Sequence, residues 1–305
     1  RVDNYTANSA TLAWSDTAVS PNTTSWDIYF GLAGFDADTV SPITVYDTTY
    51  LVEDLLPQTD YEYYVVAHCS DGTDANATTR FLFTTACAPF PADSLPYVED
   101  LEAYGSSSTA PINPCWTRQT FGSTTNYPYP SSTAAINGVR GLYFYSYGST
   151  PVYEYAALPM FESDLNVLRI RFNSKRYSTV GSTYFSKIYV GVMSNPDDIS
   201  TFDTVALIDH TADPASTITA EEIFFDQYDG EGGYIAFLHP ALGSSQYNYI
   251  YIDDIVVDSI PSCRRSTDLV AENVTINSVD LSWSNTYVVL SLECTRNILK
   301  HVAVA

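Results

Sequence analysis

"NYIYIDDIVVD", residues 248–258, alternates Tyr, Ile and Val around two adjacent aspartates, Asp253 and Asp254. A period of two marks a β-strand, whose successive side chains leave on opposite faces. One of two neighbouring aspartates must then point inward. A bare carboxylate inside a sheet is expensive, so it has to be protonated, paired with a cation or bound to a metal.

The rest of the chain carries the same bias. Its 305 residues include 25 Tyr and 14 Phe against 2 Met, with charged residues at only 16%, a composition that favours strands and turns over helices. The fold class expected is all-β. Thirty-six acidic against 13 basic side chains give a formal net charge of −23, which repels polyanions and excludes nucleic acid as a partner. Such a surface suits divalent cations and an extracellular setting. No apolar run is long enough for a membrane-spanning helix. Arg1 falls mid-pattern with no signal-peptide shape, so the sequence reads as a piece of a longer protein whose export signal lies outside it.

Cys69, Cys87, Cys115, Cys263 and Cys294 form no Cys-x-x-Cys, and the four histidines are scattered, so no zinc or redox spacing exists. Cys69 and Cys87 flank a segment whose ends a hairpin would join, and they are the expected disulfide. Cys115 with Cys263 is the second candidate.

An internal repeat organises the ends of the chain. "NYTANSATLAWS" (4–15) aligns without gaps on "NVTINSVDLSWS" (273–284). After the first copy come "TSWDIYFGL" (24–32), "YLVEDLLPQTDYEYYVVAHC" (50–69) and "TRFLFTTA" (79–86), short strands separated by Gly, Pro and Asp/Asn turns. With Leu12 and Trp14 ahead of Leu55-x-Pro57-x-Thr59-x-Tyr61-x-Tyr63-x-Val65-x-Ala67, residues 1–86 resemble a fibronectin type III domain with most of its first strand missing. The resemblance implies a tyrosine corner at Tyr61, with Trp14 in the core beneath it.

Residues 87–94 read as a linker, and 95–259 as a second unit of many strands in a two-sheet jelly roll. This unit resembles the cleaved-adhesin domains of bacterial surface proteins, modules attached to gingipain-type proteases. The carriers are Leu95-Pro96-Tyr97-x-Glu99-Asp100-x-Glu102, Pro114-Cys115-Trp116, Leu142-Tyr143-Phe144, Val190-Gly191-Val192-Met193, Tyr234-Ile235-Ala236-Phe237 and Tyr249 through Val257, with Leu101 where the family generally has Phe. Residues 260–305 begin another fibronectin-like module, and the pattern stops at Asn285.

In a jelly roll the first and last strands are commonly neighbours, which sets the early acids beside Asp253 and Asp254. Such hard oxygen ligands fit Ca²⁺, and the resemblance also implies a structural calcium held by one acid of each motif. Glu102 and Asp253 are the candidates, with Glu99, Asp100 and Asp254 as alternates. The competing assignment is a set of solvated strand-end acids. Gly-x-Ser-x-Gly and phosphate-binding loops are absent, so hydrolase and nucleotide chemistry have no motif to rest on.

Aromatic residues are the remaining functional material. Tyr143, Tyr145 and Tyr147 would share one strand face: core if it meets the other sheet, the preferred reading, or a stacking surface for sugar rings or protein if it faces out. Tyr127 and Tyr129, beside prolines, are expected in an exposed, stiff turn that contacts ligand. The function expected is a non-catalytic extracellular or cell-surface adhesin segment that recognises glycan or host protein. The alternatives are an accessory module of a larger secreted protease or glycosidase, or a spacer.

Overall fold

Alternating β-branched and aromatic residues, broken at short intervals by turn formers, produce strands joined by tight connections, and the chain is all-β. The computed structural model describes residues 1–16, 22–121, 128–147, 153–230, 232–240, 242–243, 246–262, 267–276, 278–284 and 300–303. Helical structure among them is limited to single 3₁₀ turns at Ala37–Thr39, Ala92–Ser94, Leu165–Val167 and Ile199–Thr201. Contacts divide the chain into two units. One is Arg1–Phe90 with Asn113–Thr117 and Ala157–Glu162, and the other is Pro91–Ile112 with Arg118–Ala156 and Ser163–Ala305.

The first unit holds β1 (Val2–Asp3), β2 (Ala10–Ala13), β3 (Thr23–Leu32), β4 (Ile43–Val45), β5 (Thr49–Val52), β6 (Asp60–Cys69) and β7 (Phe81–Thr84). They form two sheets, β1-β2-β5 and β4-β3-β6-β7. Leu12 and Ile28 are fully buried and pack with Tyr63 and Val65, as one inward face of each sheet requires. The tyrosine corner forms: the Leu56 N–H donates to the Tyr61 hydroxyl at 3.0 Å. Trp14 is only half-buried and sits edge-to-face on Trp26 at 6.2 Å, away from the Ala10–Leu55–Tyr61 cluster, so Leu12 rather than Trp14 fills the centre.

The expected cysteine pairing is corrected. Cys87 bonds to Cys115, and Cys69 is free. Cys69 ends β6, while Cys87 lies beyond the end of β7. Strands β6 and β7 pair from Asp60↔Thr84 to Tyr63↔Phe81, so the two cysteines depart from opposite ends of the ladder. Cys263 and Cys294 lie outside the described residues.

The second unit is built from β8 (Tyr97–Glu99), β9 (Thr117–Phe121), β10 (Tyr129–Ser131), β11 (Gly141–Tyr147), β12 (Tyr153–Met160), β13 (Leu168–Arg176), β14 (Tyr184–Phe185), β15 (Lys187–Met193), β16 (Phe202–Asp209), β17 (Ile218–Phe224), β18 (Tyr234–His239) and β19 (Tyr247–Ser259), except that Thr117 of β9 and Ala157–Met160 of β12 group with the first unit. One sheet runs β10-β11-β19-β13-β17, with β8 and β14 also on β19, and the other runs β16-β15-β18-β12-β9. Phe144 and Phe172 from the first sheet meet Phe237 from the second at 6.4 and 5.1 Å, and this aromatic contact is the centre of the sandwich. The long strand β19 is the hub: it pairs with β11, β13, β14 and β8.

The repeat read in the sequence is a repeat of backbone. Val2↔Leu12 and Asp3↔Thr11 recur as Ala271↔Leu281 and Glu272↔Asp280 between β20 (Thr267–Glu272) and β21 (Ser278–Ser284). Asn4 and its counterpart Asn273 share φ = 49°, and the Thr6 N–H to Ser9 carbonyl bond of 2.8 Å reappears from Thr275 to Ser278. A third strand, β22 (Lys300–Ala303), pairs with β21.

Candidate functional site

The opening puzzle of Asp253 is resolved by a bulge in β19. The register against β13 shifts between Arg171 and Asn173, and Asp254 takes φ = 54°. This sends the two aspartates to different sides. Asp253 is 1% exposed, and its Oδ2 accepts the N–H groups of Ile136 (2.9 Å) and Asn137 (3.0 Å) while Oδ1 accepts that of Asp254 (2.9 Å). Burial pushes its proton affinity up, and these three donors oppose the shift. Asp254 faces outward, where its Oδ2 accepts from the side-chain amides of Asn137 and, at 2.8 Å, Asn173.

Glu102 reaches the same loop from the other end of the domain. Its Oε1 accepts the N–H groups of Val139 (2.9 Å) and Arg140 (3.0 Å). Between them Gly138 has φ = 62°, and a Cβ there would land on the Glu102 carboxylate. Two carboxylates therefore clamp residues 136–140 through four backbone amides. The other acids are used elsewhere. Glu99 accepts from the Leu101 N–H at 3.0 Å and the Tyr104 hydroxyl at 2.9 Å, and Asp100 caps the Glu102 N–H at 3.1 Å. Of the candidate acids, Glu102 and Asp253 thus address one loop, while the alternates Glu99, Asp100 and Asp254 bond to other groups. Among the described residues no three His, Cys, Asp or Glu side chains are disposed to hold a metal ion. Tight local turns spend Glu99 and Asp100 on nearby donors, and the bulge turns Asp254 away.

The tyrosines assigned to the core are on the outside. On β11 the buried set is Leu142, Phe144 and Ser146, so Tyr143, Tyr145 and Tyr147 point outward. They lie opposite Tyr251, Tyr249 and Tyr247 of β19 in that order. Tyr147 stacks on Tyr247 at 4.1 Å and Tyr145 meets Tyr249 at 4.6 Å. Tyr177 stacks on Tyr249 at 4.0 Å and Tyr184 on Tyr247 at 4.9 Å. Tyr129 belongs to this array too: it is half-buried in β10, edge-to-face on Tyr143 at 5.5 Å, not at the tip of an exposed turn. Tyr127 lies outside the described residues. The array grades from Tyr251, 3% exposed, to Tyr147, 45% exposed. Burial holds the Tyr249 and Tyr251 phenols well above their usual range, so these rings are neutral at physiological pH.

Two buried polar groups were not anticipated. Ser174 Oγ is 2.8 Å from His210 Nε2, and His210 Nδ1 is 2.8 Å from Asp213, the spacing of a nucleophile–base–acid triad. The proton logic runs the other way. Ser174 is fully buried and donates to Glu221 at 2.7 Å, and the hydrogen bond to Glu221 raises the His210 pKa, with Asp213 adding to it and burial opposing. The carboxylates on both ring nitrogens thus favour the protonated imidazole, the form that cannot take a proton from the hydroxyl. Glu154 and His239 form a second pair, wholly enclosed, with Oε1 and Nδ1 2.9 Å apart. Burial drives the Glu154 pKa well up and the His239 pKa down to about 3, so enclosure disfavours the charged form of each although they stand at ion-pair distance.

No family model matches the chain, and no curated protein matches it by sequence. Solved structures do match. The K3 cleaved adhesin domain of Lys-gingipain from Porphyromonas gingivalis W83 is 19% identical with a TM-score of 0.41, over 54% of this chain and 98% of that one. A structure of carbohydrate-binding modules from the β-sandwich superfamily is 13% identical with a TM-score of 0.36, over 85% of this chain and 94% of that one. The fibronectin type III domain of human contactin 1 is 18% identical with a TM-score of 0.26, over 30% of this chain and 76% of that one.

Proposed function

We propose that the chain is a non-catalytic binding segment that works outside the cell, and that the outer tyrosine face of its second unit contacts glycan. The observation that carries this is the array itself. Neutral aromatic rings on β10, β11, β19 and the segment after β13 line one outward sheet face, where flat apolar surfaces with hydroxyl rims suit the faces of sugar rings. The Cys87–Cys115 disulfide and the charge of −23 support an oxidising, extracellular setting. Immobilised polysaccharides of varied composition test the reading. Saturable retention is expected, and Tyr147→Ala should weaken it about fivefold, the equivalent of about 1 kcal/mol for one stacked ring. Absence of saturable retention on every polysaccharide would overturn it and favour a spacer.

Calcium is proposed at Glu102 and Asp253, the two acids that address one loop. What supports it is the buried Asp253 carboxylate, which a hard cation would stabilise. Calcium that binds only the folded state raises the melting temperature, and a chelator lowers it. A melting temperature indifferent to chelator would leave the four-amide clamp as the whole role of these acids.

A further inference from the structure

Beside the tyrosine face, on the same outward side of the sheet, lies a cleft of about 470 Å³ between β13 and β17, lined among others by Arg169, Arg171, Asn173, Glu222, Asp254 and Val256. Building on the glycan reading, we propose that this cleft is a second subsite, that it binds the polar edge of an uncharged sugar, and that one oligosaccharide laid along β13 occupies both regions.

Position makes the two regions one surface. Burial alternates along β13, so Arg169, Arg171, Asn173 and Lys175 share its outward side. Lys175 pairs in register with Tyr251 and holds its ammonium 5.8 Å from that ring, and Tyr177 follows with its stack on Tyr249. At about 3.3 Å per residue, Arg171 and Tyr177 are roughly 20 Å apart along the strand. An extended oligosaccharide can reach from one to the other.

The chemistry of the cleft selects against charge. Arg169 is held by Asp258, with Nε at 2.6 Å, and by Glu222, while Arg171 Nη2 also donates to Asp258 at 2.9 Å. Within the cleft the two guanidinium groups are matched by Glu222 and Asp258, and Asp254 adds a third carboxylate, so the cleft itself carries no surplus positive charge for a uronate or sulfate. The further cation on this side of β13, Lys175, donates to the Ala135 carbonyl at 3.3 Å. The whole chain, at −23, adds to the repulsion. What the cleft does offer is a fixed set of donors and acceptors. The salt bridges orient both arginines, and Asp254 orients the Asn173 amide. Arg171 Nε, shielded from water, has no acceptor. Pre-oriented neutral hydrogen bonding of this kind matches sugar hydroxyls, which donate and accept at once, and orientation before binding lowers the entropy lost on association.

Calorimetric titration of the full chain tests the proposal, with linear glucan and mannan oligosaccharides set against uronate oligosaccharides of equal length. Neutral oligomers should bind and uronates should not. Arg171→Met and Asn173→Ala should each weaken long neutral oligomers about tenfold, while disaccharides, too short to reach from the tyrosines, lose affinity only with Tyr147→Ala. Arg171→Met leaves the Asn173–Asp254 bond in place, so it remains informative if Asn173→Ala unsettles the bulge. Preference for uronates overturns the subsite. So do groove variants that bind like the parent while Tyr147→Ala binds weakly, a result that leaves the glycan reading standing. Silence from every oligosaccharide and polysaccharide removes both.

Discussion

Removing the Asp253 carboxylate tests whether a buried acid can be a structural fastener. Asp253→Ala leaves three shielded N–H groups, those of Ile136, Asn137 and Asp254, without their acceptor. Hydrogen bonds to a charged group contribute roughly 1.5–3 kcal/mol each. Their sum is offset by release from the desolvation that raises this group's pKa. A net loss of about 3–5 kcal/mol follows, in the range seen when one partner of a buried charged network is removed. Asp253→Asn retains one acceptor oxygen, which can serve Ile136 and Asn137 while its NH₂ opposes the Asp254 N–H, so about 1–2 kcal/mol is expected. For a unit of this size each kcal/mol moves the melting temperature by roughly 2–4 °C. Calorimetry of the full chain, following the transition of the second unit, should thus show a drop of roughly 6–20 °C for Ala and a few degrees for Asn. An Asp253→Ala protein within about 1 kcal/mol of the parent would refute the reasoning, because three unpaired buried amides cannot be that cheap.

Further outcomes are expected elsewhere. Reducing Cys87–Cys115, which spans 28 residues, should destabilise the first unit by about 3–4 kcal/mol of loop-closure entropy, read as a shift of its guanidinium midpoint with and without reductant. Tyr61→Phe strands the Leu56 N–H and should cost about 1–2 kcal/mol in the same unit. For His210, whose pKa is raised in the fold by Glu221 and Asp213, the stabilisation is fully present below the unfolded value of about 6.5 and disappears as pH climbs through the folded one. Melting temperatures at pH 6 and pH 9 should diverge more in the parent than in His210→Gln, and equal divergence would show that the imidazolium clamp contributes nothing.

Much of the architecture could be read before any coordinates. Period-two patterning, turn residues and the 4–15/273–284 repeat carry their own local physics, so strands and the paired module starts followed directly, and the Tyr61 corner followed from the fibronectin type III resemblance. The tyrosine face did not. In "GLYFYSY" both alternation sets contain aromatics, and the inward one ends in Ser146 while its partner strand buries Asn248, so hydrophobicity alone could not say which side faced water. The cysteine pairing also failed, since it depends on where chain ends leave a ladder and not on spacing along the chain.

By itself the sequence determined the β class, the modular repeat, the strong negative charge and the fact that one of two adjacent aspartates must be buried, because each follows from residue type or from a short-range period. Only the tertiary structure decided which aspartate turns inward, what satisfies it, and that nine tyrosines meet on one outer face. Those depend on a one-residue bulge in β19 and on register between strands up to about a hundred residues apart in the chain. Such register is set by the summed packing of whole sheets, which no single stretch of sequence contains.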